Sequence, residues 1–241
     1  MTMFEDKKVD MILCVRGGYG TMRILPLLDL GIIKKNPKIF MGFSDITTLL
    51  NLFNQQCNLT TFHGPMGSSN LEDIETFNSF LTTLTQGNKS YEIKNPSAYP
   101  HKCGVPGIAE GTLVGGNMSL ISATMGTPYE IDTAGKILFM EDVDEEPYAV
   151  DRTLTQLLIA GKLQSCKGII LGQFKACELP HYERSLTLQQ VIEDRIYPLG
   201  KPVLQNFMTG HDYPKLTIPI GAKVRINSSE GTIQVLEPVV K

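Results

Sequence analysis

The chain has 241 residues, is 42% hydrophobic and 20% charged, and carries a formal net charge of −3. That balance suits one large or two modest globular units and excludes a disordered chain, while the scattered Lys and Arg form no basic stripe of the kind nucleic acid or acidic lipid demands. Five cysteines, odd in number, widely spaced and without a Cys-x-x-Cys pair, argue against a disulfide framework and against zinc, and predict a reducing, cytoplasmic compartment.

The N-terminal stretch MTMFEDKKVD has no apolar signal region, and no apolar run approaches the roughly eighteen residues that a membrane span needs. Over the first ninety residues, short apolar runs alternate with helix-like segments, the pattern of parallel strands with helical crossovers. VDMILCV and KIFMGF read as buried strands, followed by the helices TMRILPLLDLGII, interrupted at Pro26, and DITTLLNLFNQQ. LEDIETFNSFLTTLTQG reads as a helix with acids at its start and a glycine at its end. The Pro- and Gly-rich composition that follows marks residues 92–106 as a linker. Beyond it, GNMSLISATMG, VDRTLTQLLIAGKL and TLQQVIEDRIYPLG read as helices, and KILFMEDV, CKGIILGQF, KPVLQNF, AKVRINSSEG and TIQVLEPVV as strands. The expected fold class is α/β: a partial Rossmann-like parallel-sheet unit over residues 1–91 and a mixed, β-rich unit over 107–241.

Three glycines in four residues, Gly17, Gly18 and Gly20, follow the first strand. A dinucleotide fingerprint would need a third glycine where Arg23 stands, and no P-loop pattern is present. What remains open is a weak phosphate cradle, a strand-to-helix turn needing positive φ, or amides aimed at an oxyanion. Ser44 in MGFSDITTLL lies between a buried strand and a helix, with Gly42 two residues before it. That is the setting of a nucleophile elbow, in which the next amide, of Asp45, faces the reacting carbonyl. Ile46 replaces the elbow's last glycine, so Ser44-Asp45 also reads as a helix N-cap.

A serine nucleophile needs a base, and the base a carboxylate to orient it. Of four histidines, His101 and His181 lie in polar, proline-flanked surface stretches. His63 in TFHGPM is a candidate wall of a site, and His211 sits in a Gly- and Pro-punctuated loop of the kind that carries catalytic groups. Glu141, at the C-terminal end of a strongly apolar strand, is better placed than Glu145 or Glu146 in the loop beyond. Ser44, Glu141 and His211 therefore form a possible triad in a crevice between two units. Arg16 and Arg152 are candidates for binding a substrate carboxylate, or structural ion-pair partners. No histidine pair or cysteine cluster has metal-ligand spacing, so neither metal nor cofactor is expected.

Seven blocks in order, RGGYGTMRILPLLD, PKIFMGFSDITTL, TFHGPM, EGTLVGGNMSLI, MGTPYEID, ILFMEDVDEEPYAVDRTLTQL and GHDYPKLTIPIG, resemble the LD-carboxypeptidases, or muramoyltetrapeptide carboxypeptidases, over nearly the whole chain. The resemblance implies a homodimeric cytoplasmic serine peptidase, built from a Rossmann-like and a β-rich domain, that removes the terminal D-alanine from murein tetrapeptides during cell-wall recycling. Carried over motif by motif, it puts the nucleophile on Ser44, the carboxylate on Glu141 and the histidine on His211. It also implies an oxyanion hole from the amides of Gly18 and Asp45, with Gly17, Tyr19 and Asn117 as further substrate-binding candidates beside Arg16, His63 and Arg152. Relatives that confer microcin C immunity, and a non-catalytic murein-peptide binding module, are the alternatives. Family members begin with additional strands and helices ahead of MFEDKKVDMILCVRGGYG, so the first part of the Rossmann-like domain is expected to be missing.

Overall fold

The computed structural model describes residues 1–181 and 184–240. Its strands are β1 (Met11–Leu13), β2 (Ile39–Gly42), β3 (Thr61–His63), β4 (Tyr91–Lys94), β5 (Lys102–Val105), β6 (Ile108–Asn117), β7 (Ile137–Val143), β8 (Gly168–Lys175), β9 (Val203–Gln205), β10 (Ile218–Ile220), β11 (Lys223–Asn227) and β12 (Thr232–Val235). They form a four-stranded sheet, β1-β2-β3-β10, and an eight-stranded sheet, β4-β12-β11-β6-β7-β8-β9-β5. The mixed α/β class expected from the alternation of runs is the class observed.

In the smaller sheet β1, β2 and β3 are parallel. Its fourth strand, β10, comes from the far end of the chain and pairs antiparallel with β3, matching Ile218 with His63. In the larger sheet β6 to β9 are parallel and carry helices 147–159 and 188–195 on one face. That layer buries Leu138, Met140, Leu154, Leu157, Val191 and Ile192.

The two sheets share one core. Leu49, Leu50 and Phe53, from the helix after β2, pack in the same cluster as Phe139, Ile170, Phe207 and Val224 of the larger sheet and its flank. Polar contacts fix the height at which they meet. Asn51 accepts from the Gly115 N–H at 3.0 Å and donates to the Gly115 carbonyl at 2.9 Å, while Thr47 Oγ1 accepts the Asn117 N–H at 3.0 Å. All are buried, where an unpaired polar group would cost about 1–3 kcal/mol, so the helix is pinned to the C-terminal end of β6. Parallel pairing of Asn117 with Glu141 then brings that helix to the C-terminal end of β7.

Three readings change. Residues 92–106, expected as a linker, contain most of β4 and all of β5, which close the two edges of the larger sheet; Pro96 and Pro100 lie between these edge strands and Pro106 directly after β5, where Pro is tolerated, and Gly104 lies inside β5. The ten-residue β6 was hidden because its glycines and Glu110 break the apolar alternation, and it ends where a helix was expected to begin; Asn117 caps the helix Met118–Ala123. The helix expected over 150–163 is split at Gly161, which adopts φ 74°. Among the described residues no helix is long and apolar enough to cross a membrane.

Candidate active site

Ser44 sits where β2 ends and the helix leading to Thr47–Cys57 begins. Its φ is +62°, a left-handed conformation that costs a non-glycine residue roughly 1–2 kcal/mol. It caps nothing: Phe43 and Ile46 occupy the two N-cap positions, and Ser44 Oγ makes no hydrogen bond among the described residues, His211 included. The N-cap reading of Ser44-Asp45 is thereby replaced by a tight, strained turn that presents a hydroxyl.

The glycine loop lies against this turn. A Cβ at Gly17 would fall 2.9 Å from Ser44 Cβ and 3.0 Å from its Oγ, so only glycine lets the loop approach so closely. The anion that the loop binds is the protein's own. The buried Asp45 carboxylate accepts the N–H groups of Gly20 at 2.8 Å and Thr21 at 3.0 Å, and Thr21 Oγ1 lies 2.7 Å from its other oxygen. The amides of Gly18 and Asp45 donate to no acceptor among the described residues. Arg16 and Tyr19 stand exposed on the same loop, Tyr19 at 87%.

Glu141 is completely buried at the end of β7, at a bulge in the pairing with β8. Such bulges re-aim a side chain. Its Oε2 lies 2.6 Å from His211 Nδ1, and its Oε1 has no partner among the described residues. A carboxylate accepts only, so the contact holds His211 in the tautomer with Nδ1–H donating and Nε2 free to take a proton. A Cβ at Gly210 would sit 2.9 Å from Glu141 Oε2, which is why the residue before His211 carries no side chain. The His211 ring also meets the ring of Phe43 edge-on, with centroids 5.0 Å apart. Phe43 immediately precedes Ser44, so the turn of the proposed nucleophile and the histidine–carboxylate pair share a wall.

Three residues that sequence reasoning passed over shape this wall. Gln173 Oε1 accepts the Asp212 N–H at 3.1 Å and its Nε2 donates to the Pro214 carbonyl at 3.2 Å, tying the His211 loop to β8. Lys215 is buried to 1% exposure, its Nζ bonded to the Gly210 and Asp212 carbonyls. Burial first, and Lys175 to a lesser degree, pull its pKa down to about 8, against the opposing pull of Glu141 and Asp212. A lysine directly before the stretch LTIPI was the one available signal. Phe43 was legible only as an apolar strand residue.

Other candidates fall elsewhere. His63, expected as a site wall, is corrected to a core residue: it has no exposure, neither ring nitrogen has a hydrogen-bond partner among the described residues, and its ring packs on Phe43 and Phe139. Burial, then the charge of Lys215 and then His211, hold its pKa well below the ordinary histidine value. Asn117 is buried too, capping Leu120 through Oδ1 and donating to Asp142 at 2.9 Å. Arg152 is exposed, its guanidinium 5.6 Å from the centre of the Tyr148 ring. Among the described residues no cluster of three or more His, Cys, Asp or Glu could hold a metal ion.

The LD-carboxypeptidase N-terminal domain model matches residues 1–64 and the C-terminal domain model residues 110–226. A probable murein peptide carboxypeptidase of Bacillus subtilis is 46% identical over 234 residues, covering 95% of this chain and 72% of that protein. The murein tetrapeptide carboxypeptidase of Pseudomonas aeruginosa is 30% identical over 225 residues, 90% of this chain and 72% of that one. Among solved structures, the muramoyltetrapeptide carboxypeptidase of Oxalobacter formigenes superposes with a TM-score of 0.84 at 32% identity, covering 98% of this chain and 79% of that one. The microcin C7 self-immunity protein MccF in complex with glutamyl sulfamoyl guanosine superposes at 0.90 with 26% identity, covering 100% and 79%.

Proposed function

Because this chain belongs to the LD-carboxypeptidase family, we propose that it is a serine carboxypeptidase releasing the terminal D-alanine from murein tetrapeptide, with Ser44, His211 and Glu141 as its triad. The observation that carries the assignment is the 2.6 Å contact between His211 Nδ1 and the buried Glu141 carboxylate, beside a serine held at positive φ.

In this mechanism His211 Nε2 takes the Ser44 proton as Oγ attacks the peptide carbonyl. Glu141 fixes the tautomer and stabilises the imidazolium that forms. The uncommitted amides of Gly18 and Asp45 receive the oxyanion, each such donor contributing about 100- to 1000-fold in rate. The imidazolium then protonates the leaving D-alanine nitrogen, and water, activated by the same histidine, releases the shortened peptide. The Ser44 hydroxyl and His211 are not hydrogen-bonded in this structure; in substrate-free enzymes such bonds often close only when substrate arrives. Arg16, on the exposed loop beside the elbow, is the proposed partner of the substrate's terminal carboxylate.

The likeness to MccF favours one second reading, cleavage of an amide joining an amino acid to a sulfamoyl nucleoside. Incubating purified protein separately with murein tetrapeptide and glutamyl sulfamoyl guanosine decides between them: release of D-alanine and not of glutamate is expected. Cleavage of the nucleoside conjugate alone would transfer the assignment to the second reading, and tetrapeptide turnover retained by Ser44→Ala would reject the nucleophile.

A further inference from the structure

The loop that carries His211 is folded around a buried cation. Lys215 Nζ donates to the carbonyl oxygens of Gly210 and Asp212, the residues on either side of His211. It lies 4.1 Å from the centre of the Phe43 ring and 5.1 Å from that of Tyr213. Lysine is almost never fully buried without partners, and here every partner belongs to the histidine loop or to the residue preceding Ser44. We propose that Lys215 is a positioning residue for catalysis: its ammonium fixes the Gly210–His211 peptide plane and, one residue beyond, the Asp212–Tyr213 plane, ties that loop to the Phe43–Ser44 turn, and balances the buried Glu141 carboxylate. This rests on the triad assignment made above.

Two consequences follow from charge and geometry. With the Gly210–His211 plane held by the ammonium and the His211–Asp212 plane by Gln173 Oε1, His211 keeps only its side-chain torsions, and Glu141 fixes those; without the ammonium the imidazole has room to move, and a misplacement near 1 Å costs on the order of a hundredfold in rate. The second is electrostatic. Glu141 and Lys215 are opposite charges in one buried site, so the ammonium offsets the cost of burying the carboxylate. Without the cation, that carboxylate is left buried with no compensating charge beside the histidine loop. The charged and titratable groups around Nζ are Glu141 on β7, Lys175 at the end of β8, Asp212, His211 and Tyr213 on the loop, and His63 on β3. Burial sets the amine to lose its proton near pH 8.

The test is the rate at which a fluorophosphonate labels Ser44, measured from pH 5 to 10. In that reaction Oγ bonds to phosphorus, fluoride leaves and His211 takes the proton, so the readout is independent of the natural substrate. Wild-type labelling is expected to fall above about pH 8, as the ammonium titrates. Lys215→Met should label about a hundredfold more slowly and without the alkaline fall. Lys215→Arg, whose guanidinium does not titrate in this range, should restore much of the rate and lose the alkaline fall. Wild-type rate and profile in Lys215→Met would overturn the proposal. Should neither variant fold by circular dichroism, Lys215→Gln, whose amide can still donate to a loop carbonyl but carries no charge, is compared with wild type at neutral pH, and an unchanged labelling rate overturns the proposal. Labelling without D-alanine release rejects the murein reading but not the role of Lys215, whereas a wild-type protein that is never labelled rejects both.

Discussion

Replacing His63 with leucine tests the description of the core behind Phe43. His63 is fully buried between Phe43 and Phe139 with both ring nitrogens unpartnered among the described residues, and burial holds its pKa well below the ordinary 6.5. The unfolded chain takes up a proton at this residue as pH falls through 6.5; the folded chain does not. Unfolding therefore binds protons, the stability this neutral histidine contributes is complete above that pH, and it is lost progressively below it. Between pH 7.5 and pH 5 the loss amounts to about 2 kcal/mol, on a limiting slope of about 1.4 kcal/mol per pH unit. For a chain of this size that corresponds to a fall of about 4–8 °C in Tm. His63→Leu removes this dependence, and at pH 7.5 it should stabilise by about 1 kcal/mol because a buried, unpartnered N–H disappears. Groups such as Glu130, Asp132 and Asp212, all held below the ordinary carboxylate range, are common to both proteins and cancel in the difference. The chain has no tryptophan, so thermal unfolding is followed by circular dichroism or calorimetry. An equal loss of stability toward acid in both proteins would refute the reasoning.

Two further outcomes test the elbow. Ser44→Gly relieves a left-handed backbone at φ 62° and should raise stability by about 0.5–1 kcal/mol while lowering D-alanine release about a millionfold; denaturant melts showing no gain would mean that the turn stores no strain. Gly17→Ala forces a methyl to within 3.0 Å of Ser44 Oγ and should lower kcat about a hundredfold; wild-type turnover would show that the loop is free to withdraw without consequence.

Local chemistry in the chain carried the alternation of β1, β2 and their helices, the break at Pro26, and the strand-to-helix position of Ser44, because each depends on residues within a few positions of one another. It also marked Glu141, since a carboxylate closing an apolar strand is conspicuous in any context. The sequence did not reveal β6, whose glycines erase the alternation, or β10, whose partner β3 lies some 150 residues earlier.

The burial of His63, the engagement of Asn117 with Asp142 and the capture of Asp45 by the glycine loop were equally out of reach. Each is a partnership between segments 20 or more residues apart, and one sequence carries no record of which distant segments meet. Only the folded chain decided that Glu141 and His211, 70 residues apart, share a hydrogen bond, and that a lysine at the edge of an apolar strand turns inward beneath them. Periodicity and turn chemistry act through neighbours along the chain, whereas the placement of charge depends on which strands lie side by side, and that is settled by packing the whole core at once.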